Sequence, residues 1–145
     1  MEYFETLTVG DSDQFGAYEV TADEITTFAG QYDPQSIHTD PDAASESMFG
    51  GLIASGWHTA AMTMRLLVDH QLSGSGALGA LGVDALRWPE PVRPGDVLSV
   101  QTEIVEKEPF DESRGRVAIE VTTTTDDGAT VLSMVGQVLW QRREE

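Results

Sequence analysis

The chain has 145 residues, 40% of them apolar, with 25 Asp and Glu against 8 Lys and Arg, for a formal charge of −17. That is enough for one domain over residues 1–145, and no apolar run is long enough to cross a membrane. The opening MEYFETLTVGDSDQF carries no secretory signal pattern, the absence of Cys excludes disulfides and thiolate chemistry, and the scarcity of Lys and Arg argues against nucleic acid, so a soluble cytoplasmic protein is expected.

Residues 2–20 read as an extended entry through Tyr3, Phe4, Leu7, Val9, Phe15, Tyr18 and Val20. Thr21-Ala22-Asp23-Glu24 then fits a capping box, with the Thr21 hydroxyl accepting from the Glu24 amide and the Glu24 carboxylate reaching back. The helix it opens carries Ile25, Phe28 and Ala29 on one face and stops near Gly30 and Asp33-Pro34. Residues 33–51 read as irregular except for a short helix through Pro41-Asp42-Ala43-Ala44, and long loops of this kind are often functional. Trp57 to Val68 reads as a helix apolar on nearly every side, which predicts a buried element.

Ser73-Gly74-Ser75-Gly76 is a connector, and strands follow. A short strand is expected over 81–88, ending at Trp88-Pro89. Leu98, Val100, Thr102 and Ile104 alternate with polar residues, as do Val117, Ile119, Val121 and Thr123. Leu132, Met134, Val138 and Trp140 share one parity, and Asp126-Asp127-Gly128 joins the last two strands as a hairpin. One apolar helix amid antiparallel strands predicts an α+β fold, with the sheet curled around the helix. An edge strand left open by such a sheet would be paired off in a symmetric dimer.

Two constellations could carry chemistry. Asp33 and His38 stand five residues apart across a proline-fixed turn, a carboxylate and an imidazole able to hold one water between them. Either could equally serve structure, Asp33 as a turn cap and His38 as core. Gly56 falls where the buried helix starts, and a helix start offers unpaired amides to a ligand carbonyl, although Ser55 and Gly56 could simply cap the helix.

Asp33 through Asp40, Phe49 through Thr59, and Leu86-Arg87-Trp88-Pro89-Glu90-Pro91-Val92-Arg93-Pro94-Gly95-Asp96 together resemble the MaoC-like dehydratases, the (R)-specific enoyl-CoA hydratase group of hot-dog proteins. The resemblance runs from about Thr21 to the final strand. It implies a hot-dog fold and a hydratase that adds water reversibly across the 2,3 double bond of an acyl-CoA, as a homodimer or higher homo-oligomer and without a cofactor. It implies that Asp33 and His38 act on the water and that the Gly56 amide holds the thioester carbonyl. Ser55, Trp57, Thr63 and Met64 become candidates for the substrate pocket. The chain departs from the family loop by having Gln35 and Ser36 where Asn-Pro is usual, and it has Met64, with Thr63 beside it, where a Ser often faces the site.

A hot-dog thioesterase and a non-catalytic acyl-CoA-binding subunit are the alternatives. No acid lies between Gly56 and Val68, which weighs against a thioesterase. The G-x-G-x-x-G at Gly74–Gly79 follows a helix and leads into a strand, the wrong context for a dinucleotide site. His38, His58 and His70 show no metal-ligand spacing, so no metal is expected. Arg65, Arg87, Arg93, Arg114 and Arg116 are candidate partners for CoA phosphates, and Arg93-Pro94-Gly95-Asp96 reads as a turn. The single Lys107 and the dispersed acids read as adaptation to a salt-rich cytoplasm.

Overall fold

The computed structural model describes residues 2–143. A short 3₁₀ turn over Phe4–Thr6 leads into β1 (Ser12–Glu19), so the entry is not extended throughout. Next come helix α1 (Ala22–Tyr32), two short helices, α2 (Ser36–Thr39) and α3 (Pro41–Ser45), and the central helix α4 (Gly56–Leu67), which runs into a π turn at Val68–Leu72. Strands β2 (Ala77–Arg87), β3 (Val97–Pro109), β4 (Arg114–Thr125) and β5 (Thr130–Gln141) complete one antiparallel sheet in the order β1-β3-β4-β5-β2. The α+β architecture expected from the alternation is therefore present, with α4 packed across β1, β3 and β5.

The buried face of α4 presents His58, Thr59, Met62, Thr63, Leu66 and Leu67. Facing them are the inward residues of the long strands, among them Val100, Val117, Val121 and Leu132. Each such aliphatic side chain contributes roughly 1.5–3 kcal/mol by leaving water. Gly16, at φ +93°, marks the bulge where β1 bends over the helix, and a Cβ there would come within 2.8 Å of Leu66 Cδ2.

Other expectations also need correction. The Thr21 hydroxyl does accept from the Glu24 amide, but the Glu24 carboxylate accepts from the Tyr18 hydroxyl at 2.7 Å instead of turning back to the cap. Residues 33–51 hold two short helices, not one, because Asp40 caps a helix opened by Pro41 while Ser36–Thr39 forms a separate turn. Helix α4 is not covered on every side: Trp57 is 59% exposed and Met64 48%, with Ala61 also open between them. Spaced at i, i+4 and i+7, these three form one stripe.

The edge strand β2 starts four residues earlier than expected, at Ala77. Its Leu78, Leu81 and Val83 are all about half exposed or more, at 54%, 55% and 49%. The chain thus leaves apolar surface open both on α4 and along the edge strand β2. Among the described residues, no helix is long and apolar enough to span a membrane.

Candidate active site

Asp33 is the residue at which α1 ends, because the proline after it disfavours the helical conformation at Asp33, which adopts φ −154°, ψ 68°. The chain turns there into α2, whose last turn carries His38 into the interior at 5% exposure. Two backbone bonds hold the approach to α4 against this turn: the Ile53 amide donates to the Ile37 carbonyl at 3.2 Å, and the Ala54 amide to the Val92 carbonyl at 2.9 Å. Ser55 caps α4, its hydroxyl accepting from the Trp57 amide at 3.3 Å.

These constraints bring Asp33, His38, Ser55 and Gly56 together. Asp33 Oδ2 lies 3.4 Å from His38 Nε2 and accepts from the Ser55 hydroxyl at 2.7 Å. Asp33 Oδ1 accepts from the Gln35 side-chain amide, also at 2.7 Å. Hydrogen bonds from Gln35 and Ser55, joined by the nearby imidazole, hold the Asp33 carboxyl below its ordinary value of 3.8 against the opposing effect of burial.

The His38 tautomer follows from its other partner. Nδ1 lies 2.8 Å from the Ile53 carbonyl oxygen, which can only accept, so Nδ1 carries the proton. In the neutral ring Nε2 is then an acceptor, facing a second acceptor in the ionised Asp33 carboxylate. Two acceptors 3.4 Å apart are complemented by a group that donates to both. A water about 2.8 Å from each, giving one hydrogen to either side, satisfies that geometry.

The other candidate residues separate. Thr63 faces the core, where its hydroxyl bonds the Thr123 hydroxyl at 2.7 Å, both side chains fully buried. Met64 instead lines an apolar cavity of about 270 Å³ between α4 and the sheet, together with Leu67, Leu72, Met134 and Val138. Trp57 is exposed and packs edge-on against Trp88, with ring centroids 5.1 Å apart. Trp88, expected as the end of a strand and as part of the 86–96 stretch, lies just past β2, and its indole covers Gly56.

Of the arginines, Arg65 pairs with Asp69, Arg114 with Asp111, and Arg116 with Glu106 and Glu108. Arg87 and Arg93 instead donate to the backbone carbonyls of Leu86 and Phe49. Arg93 also opens the turn expected at 93–96, its amide donating to the Asp96 carboxylate at 2.8 Å. His58 stacks on Phe28 at 4.6 Å and His70 on Phe15 at 5.3 Å.

Residues 6–126 match the family model described as MaoC like domain. The crystal structure of the MaoC-like dehydratase from Rhodospirillum rubrum superposes with a TM-score of 0.91 over 100% of both chains, at 41% identity. The 3-hydroxyacyl-thioester dehydratase Z of Mycobacterium tuberculosis is 34% identical, the match covering 81% of this chain and 76% of that one. The uncharacterized protein YdeM of Bacillus subtilis is 30% identical over 81% of this chain and 83% of its own. A five-stranded antiparallel sheet around one central helix is the hot-dog fold, and the chain belongs to the MaoC-like domain family.

Proposed function

We propose that this protein is an (R)-specific enoyl-CoA hydratase, equally a 3-hydroxyacyl-CoA dehydratase, that adds water reversibly across the 2,3 double bond of an acyl-CoA thioester. The observation that carries this reading is the pair of acceptors, Asp33 Oδ2 and His38 Nε2, 3.4 Å apart beside the start of α4. In the hydration direction the pair removes a proton from the bound water as its oxygen bonds to C3. The π electrons of the double bond move toward the thioester, whose carbonyl oxygen gains enolate charge. The proton held by the pair is then delivered to C2, and both groups return to their starting state.

The developing charge on the carbonyl oxygen is assigned to the Gly56 amide. The Trp57 amide is taken by Ser55, whereas the Gly56 amide precedes it at the positive end of the helix dipole. The apolar cavity beside Met64 suits an acyl chain, and Arg87 and Arg93 are assigned to the CoA phosphates. No cofactor takes part in this scheme. The names of relatives support the chemistry, since dehydratase Z is named for a 3-hydroxyacyl thioester.

A homodimer is part of the proposal. The open apolar residues Leu78 and Val83 of β2 line one cavity with Met64 of the α4 stripe, and a second copy related by a two-fold axis would cover both surfaces. Light scattering should give twice the chain mass for the wild type and the single chain mass for Leu81→Lys. An acidic coat with a single Lys supports a salt-rich cytoplasm as the working medium.

Crotonyl-CoA in molar KCl tests the chemistry. A hydratase bleaches the conjugated enoyl absorbance without releasing thiol, a thioesterase releases thiol, and a binding subunit does neither. Either of the last two results contradicts the proposal.

A further inference from the structure

Ser55 is fully buried at the N-cap of α4, and its hydroxyl is used twice. The oxygen accepts from the Trp57 amide at 3.3 Å, which is ordinary capping. The hydrogen goes elsewhere, to Asp33 Oδ2 at 2.7 Å, twenty-two residues back along the chain. That is the same carboxylate oxygen that faces His38 Nε2. A capping residue needs no such partner, and the carboxylate oxygen could have turned to solvent, since the Asp33 side chain is 18% exposed.

We propose that Ser55 is a positioning residue: its hydroxyl holds the Asp33 carboxylate against His38 and ties that pair to the first turn of α4, where the Gly56 amide lies. This rests on the hydration chemistry proposed above and extends it. The two halves of the site, proton transfer and carbonyl binding, come from segments far apart in the chain. One hydroxyl spans them, adding a side-chain tie at the carboxylate itself to the Ile53–Ile37 and His38–Ile53 bonds that join the same two segments. A misplacement of about 1 Å at a reacting group is enough to cost roughly a hundredfold in rate. Around Asp33 the partners are Gln35, Ser55 and His38, and His38 is the titratable one among the described residues.

The test compares Ser55→Ala, Ser55→Gly and Ser55→Thr in the full chain. Glycine is nearly as good an N-cap as serine, so a purely capping role predicts that Ser55→Gly behaves like wild type in every readout. Positioning predicts that Ala and Gly variants both lower kcat for crotonyl-CoA by about tenfold to a hundredfold with KM little changed, and that Thr restores it. The second readout is the ¹³C titration of the Asp33 side-chain carboxyl, assigned with Asp33→Asn. Its midpoint should rise in the Ala and Gly variants and return in Thr, because the ionised form has lost a donor. An unchanged midpoint in both hydroxyl-free variants overturns the proposal, as does a raised midpoint with unchanged kcat. If Ser55→Thr is unstable from its added methyl, the Ala and Gly pair still decides. The titration reads the Ser55 hydroxyl's hold on Asp33 even if wild type hydrates nothing, in which case the proposed reaction fails and that hydrogen bond is judged separately.

Discussion

The indole of Trp88 occupies the space that a side chain at Gly56 would need: a Cβ there would lie 2.5 Å from Trp88 Cε2 and 2.6 Å from Cδ2. Glycine at the head of α4 therefore serves a protein contact as well as any approach by substrate. Trp88 in turn leans on Trp57, so the start of the helix is framed by an aromatic pair.

Gly56→Ala should accordingly lower kcat by about tenfold to a hundredfold, since the methyl must push the indole or the helix start aside. The same substitution made in a Trp88→Ala background should cost much less. Steady-state kinetics of the four proteins of this cycle check it, and equal costs in both backgrounds would show that the Trp88 contact is irrelevant.

Thr63 and Thr123 satisfy one another inside the core at 2.7 Å. Thr63→Val alone leaves the Thr123 hydroxyl buried without that partner and should destabilise by about 1–3 kcal/mol. Thr63→Val with Thr123→Val removes both polar groups and should recover most of that loss. Urea unfolding measures the cycle, and strictly additive losses would contradict the pairing.

His58 is buried against Phe28, and its Nδ1 has no hydrogen-bond partner among the described residues. Burial lowers its pKa from the ordinary 6.5, partly countered by Glu24. Because the folded pKa is the depressed one, the unfolded chain binds the proton more readily. The resulting stability is present above pH 6.5 and is lost as pH falls from there through the folded value. Replacing His58 with Phe should flatten the decline in urea stability as pH falls below 6.5. Parallel declines in wild type and variant would exclude His58 as its source.

Much of this architecture was legible because a two-residue alternation and a single apolar helix leave few ways to bury both. Leu98, Val100, Val117 and Val121 point inward as their parity demanded. Strand β2 was harder to bound, because in Ala77–Arg87 glycines interrupt the alternation and its apolar residues face outward at an edge. For α4 the composition was read correctly but its coverage was not. A stripe left open on the chain's surface looks identical, in sequence, to one buried within it.

At the site, Asp33 and His38 stood out by residue type, while the bonds that organise them did not. Ser55 reaches Asp33 across twenty-two residues, and Trp88 reaches Gly56 across thirty-two, distances over which no local pattern carries information. Gln35, a departure from the usual family loop, supplies a donor to Asp33 through its side-chain amide. Glu24 shows the converse, since a capping-box spacing was present but a tyrosine from the preceding strand offered the carboxylate a competing partner.

The acceptor pair is tested most directly by crotonyl-CoA hydration in molar KCl with wild type, Asp33→Asn and His38→Ala, followed by loss of enoyl absorbance. Proton transfer by a positioned group is worth about 10² to 10⁴ in rate, so each variant should fall by at least a hundredfold while remaining folded. Hydration that survives both substitutions would contradict the assignment of Asp33 and His38 to the water.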